Sequence, residues 1–299
     1  MLQSFFSAGE STGGAIFVLE HTPQPKRGFI SSCYDASSMG GILLASGLVT
    51  WMSAQGTIHQ DWRILFWMGA MTAVFGVFLR WQTTDGAEFV QAPIAKNSSG
   101  LRALKEYRLS LFSIILTSGF SHITYSLAFT LMNGYVPLIT SLSKTEVMQV
   151  NTLLLMADLC LLPCFGYLAV KFGKEKVMFA GALCSALSAV PLFSLLQDAS
   201  LATVITVRFS IIVFGVAFAA PYYAWAMEQV PPHRRYLILS LGSALGSQLI
   251  GTPTAAICLW LYKTLGWSGA PAFYLLAAGS AAGFAVYRSM QREKSIFWA

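Results

Sequence analysis

Residues Glu20–Arg27 read E-H-T-P-Q-P-K-R, and Glu228–Arg235 read E-Q-V-P-P-H-R-R. Laid over each other without a gap, the glutamate, a proline and the closing basic pair coincide at an offset of 208 residues. Each copy joins one long apolar run to the next. A charged, proline-bearing turn repeated between hydrophobic runs predicts a helical membrane protein whose two halves keep the same orientation.

Composition agrees with that layout. Of 299 residues, 55% are apolar and 11% charged, too few charges to clothe a soluble protein of this length. Runs of roughly 20 apolar residues span a hydrocarbon layer of about 30 Å. Nine such runs occur, near 2–20, 28–54, 62–81, 109–136, 147–170, 177–196, 201–227, 236–262 and 270–288. None alternates residue by residue as a membrane barrel strand does, so the expected class is all-α. The first run carries no basic residues ahead of it and has Glu10 in its middle, so it reads as a span and not a cleaved leader.

Basic residues set the orientation. Fifteen of the nineteen Lys and Arg fall in or beside the turn at 20–27, the segment 82–108, the turn at 171–176, the turn at 228–235 and the tail after Tyr287. Those segments are expected on the cytoplasmic side. The net charge of +6 is this bias and does not point to nucleic acid. Cys33, Cys160, Cys164, Cys184 and Cys258 all lie inside apolar runs, with no ligand-spaced His beside them. No disulfide framework, metal site or cofactor is expected. The sequence holds no phosphate loop, nucleotide fingerprint or nucleophile triad, and it does not read as an enzyme.

Several segments carry a family resemblance. Gln3 to Phe29, Q-S-F-F-S-A-G-E-S-T-G-G-A-I-F-V-L-E-H-T-P-Q-P-K-R-G-F, resembles the fourth helix and following loop of the metabolite:proton symporter branch of the major facilitator superfamily, and most of all its proline/betaine transporters. Tyr34-Asp35, Ser38 and Gly40-Gly41 continue the likeness, and Asp61-Trp62-Arg63 resembles the start of the sixth helix. Gly166-Tyr-Leu-Ala-Val-Lys171-Phe-Gly173-Lys is similar to the superfamily's G-x-L-x-D-R-x-G-R turn, with Val170 at its acidic position. The ionic tie made by that acid is expected to be lost.

The resemblance implies a twelve-helix fold, of which this chain holds helices four to twelve. Residues 1–81 correspond to a partial N-terminal bundle, 82–108 to a cytoplasmic linker, 109–288 to a C-terminal six-helix bundle and 289–299 to a cytoplasmic tail. Three explanations of the absent helices stay open: a misplaced start, a split gene whose second product supplies them, or a remnant. The resemblance further implies the bacterial inner membrane and proton-coupled symport of a small organic solute. That solute is a proline/betaine-like zwitterion or a small carboxylate. The alternative is a chain that transports nothing alone, as a remnant or one subunit of a split carrier.

Charges within apolar runs are costly and mark candidate sites. Glu10 and Asp35 lie about 15 and 12 Å from the basic end on adjacent antiparallel helices. Either they exchange protons, or one pairs with a basic residue outside this chain. His122 and Asp158 both lie about 20 Å from that end, on helices that neighbour in the chain. They form a proton relay, or His122 is a packing residue. Arg208 has three readings: a partner for a solute carboxylate, a partner for Asp158, or a side chain reaching the outer headgroups. Tyr125 and Asn133 are expected to line the solute cavity. The run Asn133-Gly134-Tyr135-Val136-Pro137 is expected to break its helix. Glu20 with Arg27 and Glu228 with Arg235 are expected to pair as a conformational latch. Gly166, Lys171 and Gly173 are expected to shape the turn beside it.

Overall fold

The computed structural model describes residues 2–55, 58–82 and 100–297, without the side chains of residues 2–10, 292–297 and a few positions between. All regular structure among them is helical. Helices α1 (Leu2–Glu20), α2 (Arg27–Ala54) and α3 (Ile58–Gln82) precede a short helix, α4 (Gly100–Glu106). Six rods follow: α5 (Arg108–Ile139), α6 (Lys144–Phe172), α7 (Lys174–Ser194), α8 (Leu201–Glu228), α9 (Pro232–Leu265) and α10 (Ala272–Phe297). With α4 set aside, these are nine rods among the described residues, one for each apolar run. Part of the expected linker forms α4, and residues 83–99 lie outside the described residues.

The helices α5 to α9 are each long and apolar enough to cross a membrane. In lipid every backbone N–H and C=O must be bonded within its own segment, which is why long apolar runs become helices. They also outlast the runs that predict them, because the hydrogen-bonded spiral continues into the polar ends. Local chemistry sets several ends. At α6, Ser143 Oγ accepts from the Glu146 amide at 3.3 Å while the Glu146 carboxylate accepts from the Ser143 amide at 2.9 Å, a reciprocal cap. Ser200 caps α8 in the same position. A single residue, Gly173, turns the chain from α6 into α7 with φ +95°, a backbone conformation that favours glycine.

Two rods are deformed. In α5 the Met132 amide bonds the Leu127 carbonyl, and in α9 the Thr252 amide bonds the Ser247 carbonyl, five residues back in each case. Such widened turns often mark functional sites. The expectation of a break at Asn133–Pro137 is corrected by α5: Met132–Ile139 is helical with Pro137 inside it, and the distortion lies one turn earlier. Proline offers no N–H to the Asn133 carbonyl four residues back, yet the helix runs on through it to Ile139.

Small residues let rods meet closely. A Cβ added at Gly242 would lie 2.7 Å from Ile114, and one at Gly119 would lie 2.9 Å from Ile250, so α5 and α9 press together. Gly181 brings α7 against the Phe214 carbonyl of α8. Gly166 faces Ser32 and the Gly28 carbonyl, which seats α6 on α2. Phe120 and Phe218 cross edge to face at 4.8 Å in the core. In contrast α3 turns Phe66, Trp67, Met71 and Trp81 outward, with Trp81 83% exposed.

Candidate functional site

The seating of α2 on α6 carries Asp35 and Asp158 to one cavity. From the Gly28–Val170 and Ser32–Gly166 contacts, antiparallel helices advance turn by turn toward those two positions. The cavity is about 590 Å³ and is walled by α1, α2, α5, α6, α8 and α9. Asp158 is 5% exposed and borders it, with no hydrogen bond or ion pair to another described residue. Asp35 borders it from α2, while the neighbouring Tyr34 hydroxyl donates to the Ser11 carbonyl at 2.7 Å and ties α2 to α1. His122 and Tyr125 face the same space from α5. His122 Nδ1 lies 3.1 Å from the Ser118 carbonyl, so that nitrogen donates.

Of the residues nominated from sequence, Asp35, His122, Tyr125 and Asp158 thus share one cavity. The two pairs expected to act separately contribute to a single site. The side chain of Glu10 lies outside the described residues, although Ser11 and Thr12, next in α1, border the cavity. Asn133 and Arg208 do not border it. Arg208 is fully buried. Its guanidinium donates to the Ala128 carbonyl at 3.0 Å, the Val147 carbonyl at 3.4 Å, Asn133 Oδ1 at 3.2 Å and Asn151 Oδ1. None of its three expected roles matches this geometry: it meets no cavity surface, bonds no carboxylate among the described residues and reaches no headgroup. A guanidinium offers five donors in a fixed fork, and carbonyl groups of α5 and α6 take four of them. Arg208 and Asn133 form a clamp behind the wall.

Sequence reasoning missed Tyr222, Tyr223, Ser243 and Gln248, which also face the cavity. Tyr222 follows the kink at Pro221 (φ −90°, ψ 4°) and its hydroxyl meets Ser243 Oγ at 2.9 Å. Pro221-Tyr222-Tyr223, polar aromatics beside a proline in an apolar run, was the available signal.

At the end of the bundle that holds both repeat copies, the charges pair differently from the sequence expectation. Arg235 Nη1 lies 2.7 Å from Glu20 Oε1, with the two side chains 6% and 8% exposed. The acid of one copy therefore meets the base of the other. Arg27 Nε donates to the Leu19 carbonyl and Arg235 Nε to the Met227 carbonyl, each at 3.1 Å and each eight residues back. In both copies the guanidinium caps the helix it has just left. Glu228 instead meets Lys174 Nζ at 2.5 Å. The tie expected to vanish with Val170 thus has a counterpart from the same turn. Gly173 makes that turn, Gly166 admits Ser32, and Lys171 lies over its neighbour Phe172 at 5.5 Å.

Comparison with known proteins agrees with this fold. The profile of the Major Facilitator Superfamily matches residues 114–295, and that of sugar (and other) transporters matches residues 1–92. A putative proline/betaine transporter of Staphylococcus aureus (strain MSSA476) is 26% identical over 96% of this chain and 63% of its own length. The proline/betaine transporter of Salmonella typhimurium is 26% identical over 92% of this chain and 58% of its own. The chain thus spans about three-fifths of the length of these relatives. Among solved structures, the proton:xylose symporter XylE bound to 6-bromo-6-deoxy-D-glucose superposes with a TM-score of 0.63 at 17% identity. That superposition covers 93% of this chain and 67% of XylE, and it is a likeness of fold. With the superfamily profile matching more than half of its residues, on an all-helical framework of the same fold, this chain belongs to the major facilitator superfamily.

Proposed function

We propose that the chain acts in secondary active transport, carrying a small organic solute together with protons by alternating access. The observation that supports this most is Asp158, a buried carboxylate with no partner among the described residues, on a cavity that Asp35 also borders. A carboxylate in an apolar wall is costly unless it takes a proton or meets a ligand, and a coupled carrier does both in turn. In this reading Asp35 and Asp158 exchange protons, with Glu10 as a third carboxylate on α1 and His122 as a relay. Tyr125 orients the solute.

Residues 1–81 rock against 109–288; the Glu20–Arg235 pair joins the two and holds the basic end shut, while Lys174–Glu228 ties α7 to α8 within the second. The positive-inside rule puts that end in the cytoplasm. The relatives named for proline and betaine favour a zwitterion over a small carboxylate.

The test is uptake of radiolabelled proline and betaine by transport-deficient cells expressing the chain, with and without a protonophore. We expect accumulation that the protonophore abolishes and that Asp158→Asn lowers at least tenfold. Uptake indifferent to both would defeat proton coupling. No uptake from a correctly inserted chain would favour the alternative, a membrane protein that carries nothing alone.

A further inference from the structure

The chemistry of the cavity wall says more about the solute than that it is small. Two carboxylates, Asp35 and Asp158, border the space, and neither Lys nor Arg does so among the described residues. Arg208, the cation nominated for a solute carboxylate, is turned away and occupied by carbonyl groups. Beside aliphatic side chains such as Ile42, Leu162 and Ile211, the wall carries four Tyr and Phe rings. Tyr125 and Phe129 pack with centroids 4.9 Å apart and planes at 46°, and Tyr222 and Tyr223 pack at 5.1 Å and 62°. An aromatic ring on such a wall offers a cation the negative quadrupole of its face, an interaction that suits a quaternary ammonium.

We infer that this wall is a subsite for an organic ammonium group, and that the site prefers an ammonium cation to a zwitterion of the same shape. Solutes with a carboxylate and no ammonium are excluded. Asp158 supplies the charge and the two aromatic pairs supply the faces. With two carboxylates in one cavity, one holds a proton while the other faces the cation, so the two travel together. The inference rests on the reading of this cavity as the solute site, and it is independent of whether the chain transports.

Equilibrium binding of tritiated choline to the purified full chain in lipid nanodiscs tests it. The competitors are glycine betaine and two analogues with carbon in place of nitrogen, 3,3-dimethylbutan-1-ol for choline and 3,3-dimethylbutanoate for betaine. Choline is expected to bind and betaine to compete more weakly. Both carbon analogues should need roughly tenfold or more the concentration, the scale of a desolvated cation–π contact. Asp158→Asn should weaken choline binding at least tenfold. Should that variant fail to fold, Tyr125→Leu should weaken binding while Tyr125→Phe, which keeps the face, should not.

Equal competition by the carbon analogues would overturn the inference, as would stronger binding of betaine than of choline. So would absence of choline binding to a folded chain. Choline binding without uptake in the cell assay would sink the transport reading and leave the subsite standing. Betaine uptake that choline does not inhibit would do the reverse.

Discussion

Arg208 shows how much a single side chain depends on its surroundings. It sits in an apolar run, fully buried, and its charge meets only carbonyl and amide oxygens among the described residues. Those acceptors belong to α5 and α6, so the fork joins both rods to α8. Truncation leaves several buried acceptors without donors, at about 1–3 kcal/mol each. Arg208→Gln is therefore expected to destabilise the chain by roughly 3 kcal/mol or more, seen as a lower melting temperature in detergent. Arg208→Lys should recover less than half of the loss, because an ammonium cannot reproduce the fork. A melting temperature unchanged by both variants would mean the clamp carries no weight. From sequence, the residue type was legible as exceptional, but its direction was not. Three roles were open, and rotation of α8 about its axis chose a fourth.

At the scale of elements, the small residues of α9 decide how α5 sits. Gly242 and Gly246 stand four apart and so line one side of the helix, the side that meets α5. Gly246→Ala would drive a methyl toward the Ile115 carbonyl, which is backbone and cannot swing aside. Overpacking of this kind costs about 1–3 kcal/mol. The same change at Gly69 or Gly76, where nothing lies within 4 Å, should be neutral or gain up to about 1 kcal/mol from helix propensity. Thermal melts of the three variants check this, and equal effects would mean that α5 and α9 are not pressed together. The widened turns of α5 and α9 were not legible. Proline at 137 announces a defect at the Asn133 carbonyl, yet the wide turn lies earlier, where the Met132 amide bonds Leu127 and Arg208 takes the carbonyl of Ala128.

For the whole molecule, the crossed pairing of the repeat copies is the central feature. Glu20 and Arg235 are 215 residues apart in the chain and nearly enclosed. Breaking one partner of a buried pair strands the other, at about 3–5 kcal/mol. Glu20→Gln and Arg235→Gln should each show a loss of that order. The double variant should lose distinctly less than the sum, whereas additive losses would show that the two side chains act apart. The Lys174–Glu228 pair is more open, so Lys174→Gln should cost about 1 kcal/mol or less and less still in high salt. Melts at low and high ionic strength separate the two classes of pair.

What the sequence by itself determined is the set of rods, their order and their all-helical class. Each follows from a local demand, because a segment in hydrocarbon must bond its own backbone. It also marked the repeat and the carboxylates worth watching. Tertiary structure alone decided that Asp35 and Asp158 share a cavity, that Arg208 stands behind its wall, and that Glu20 meets Arg235 and not Arg27. Those outcomes depend on how each rod is turned about its axis and on which long-range neighbour meets it. A few ångströms of rotation move a side chain from cavity to core, and no spacing along the chain records that rotation.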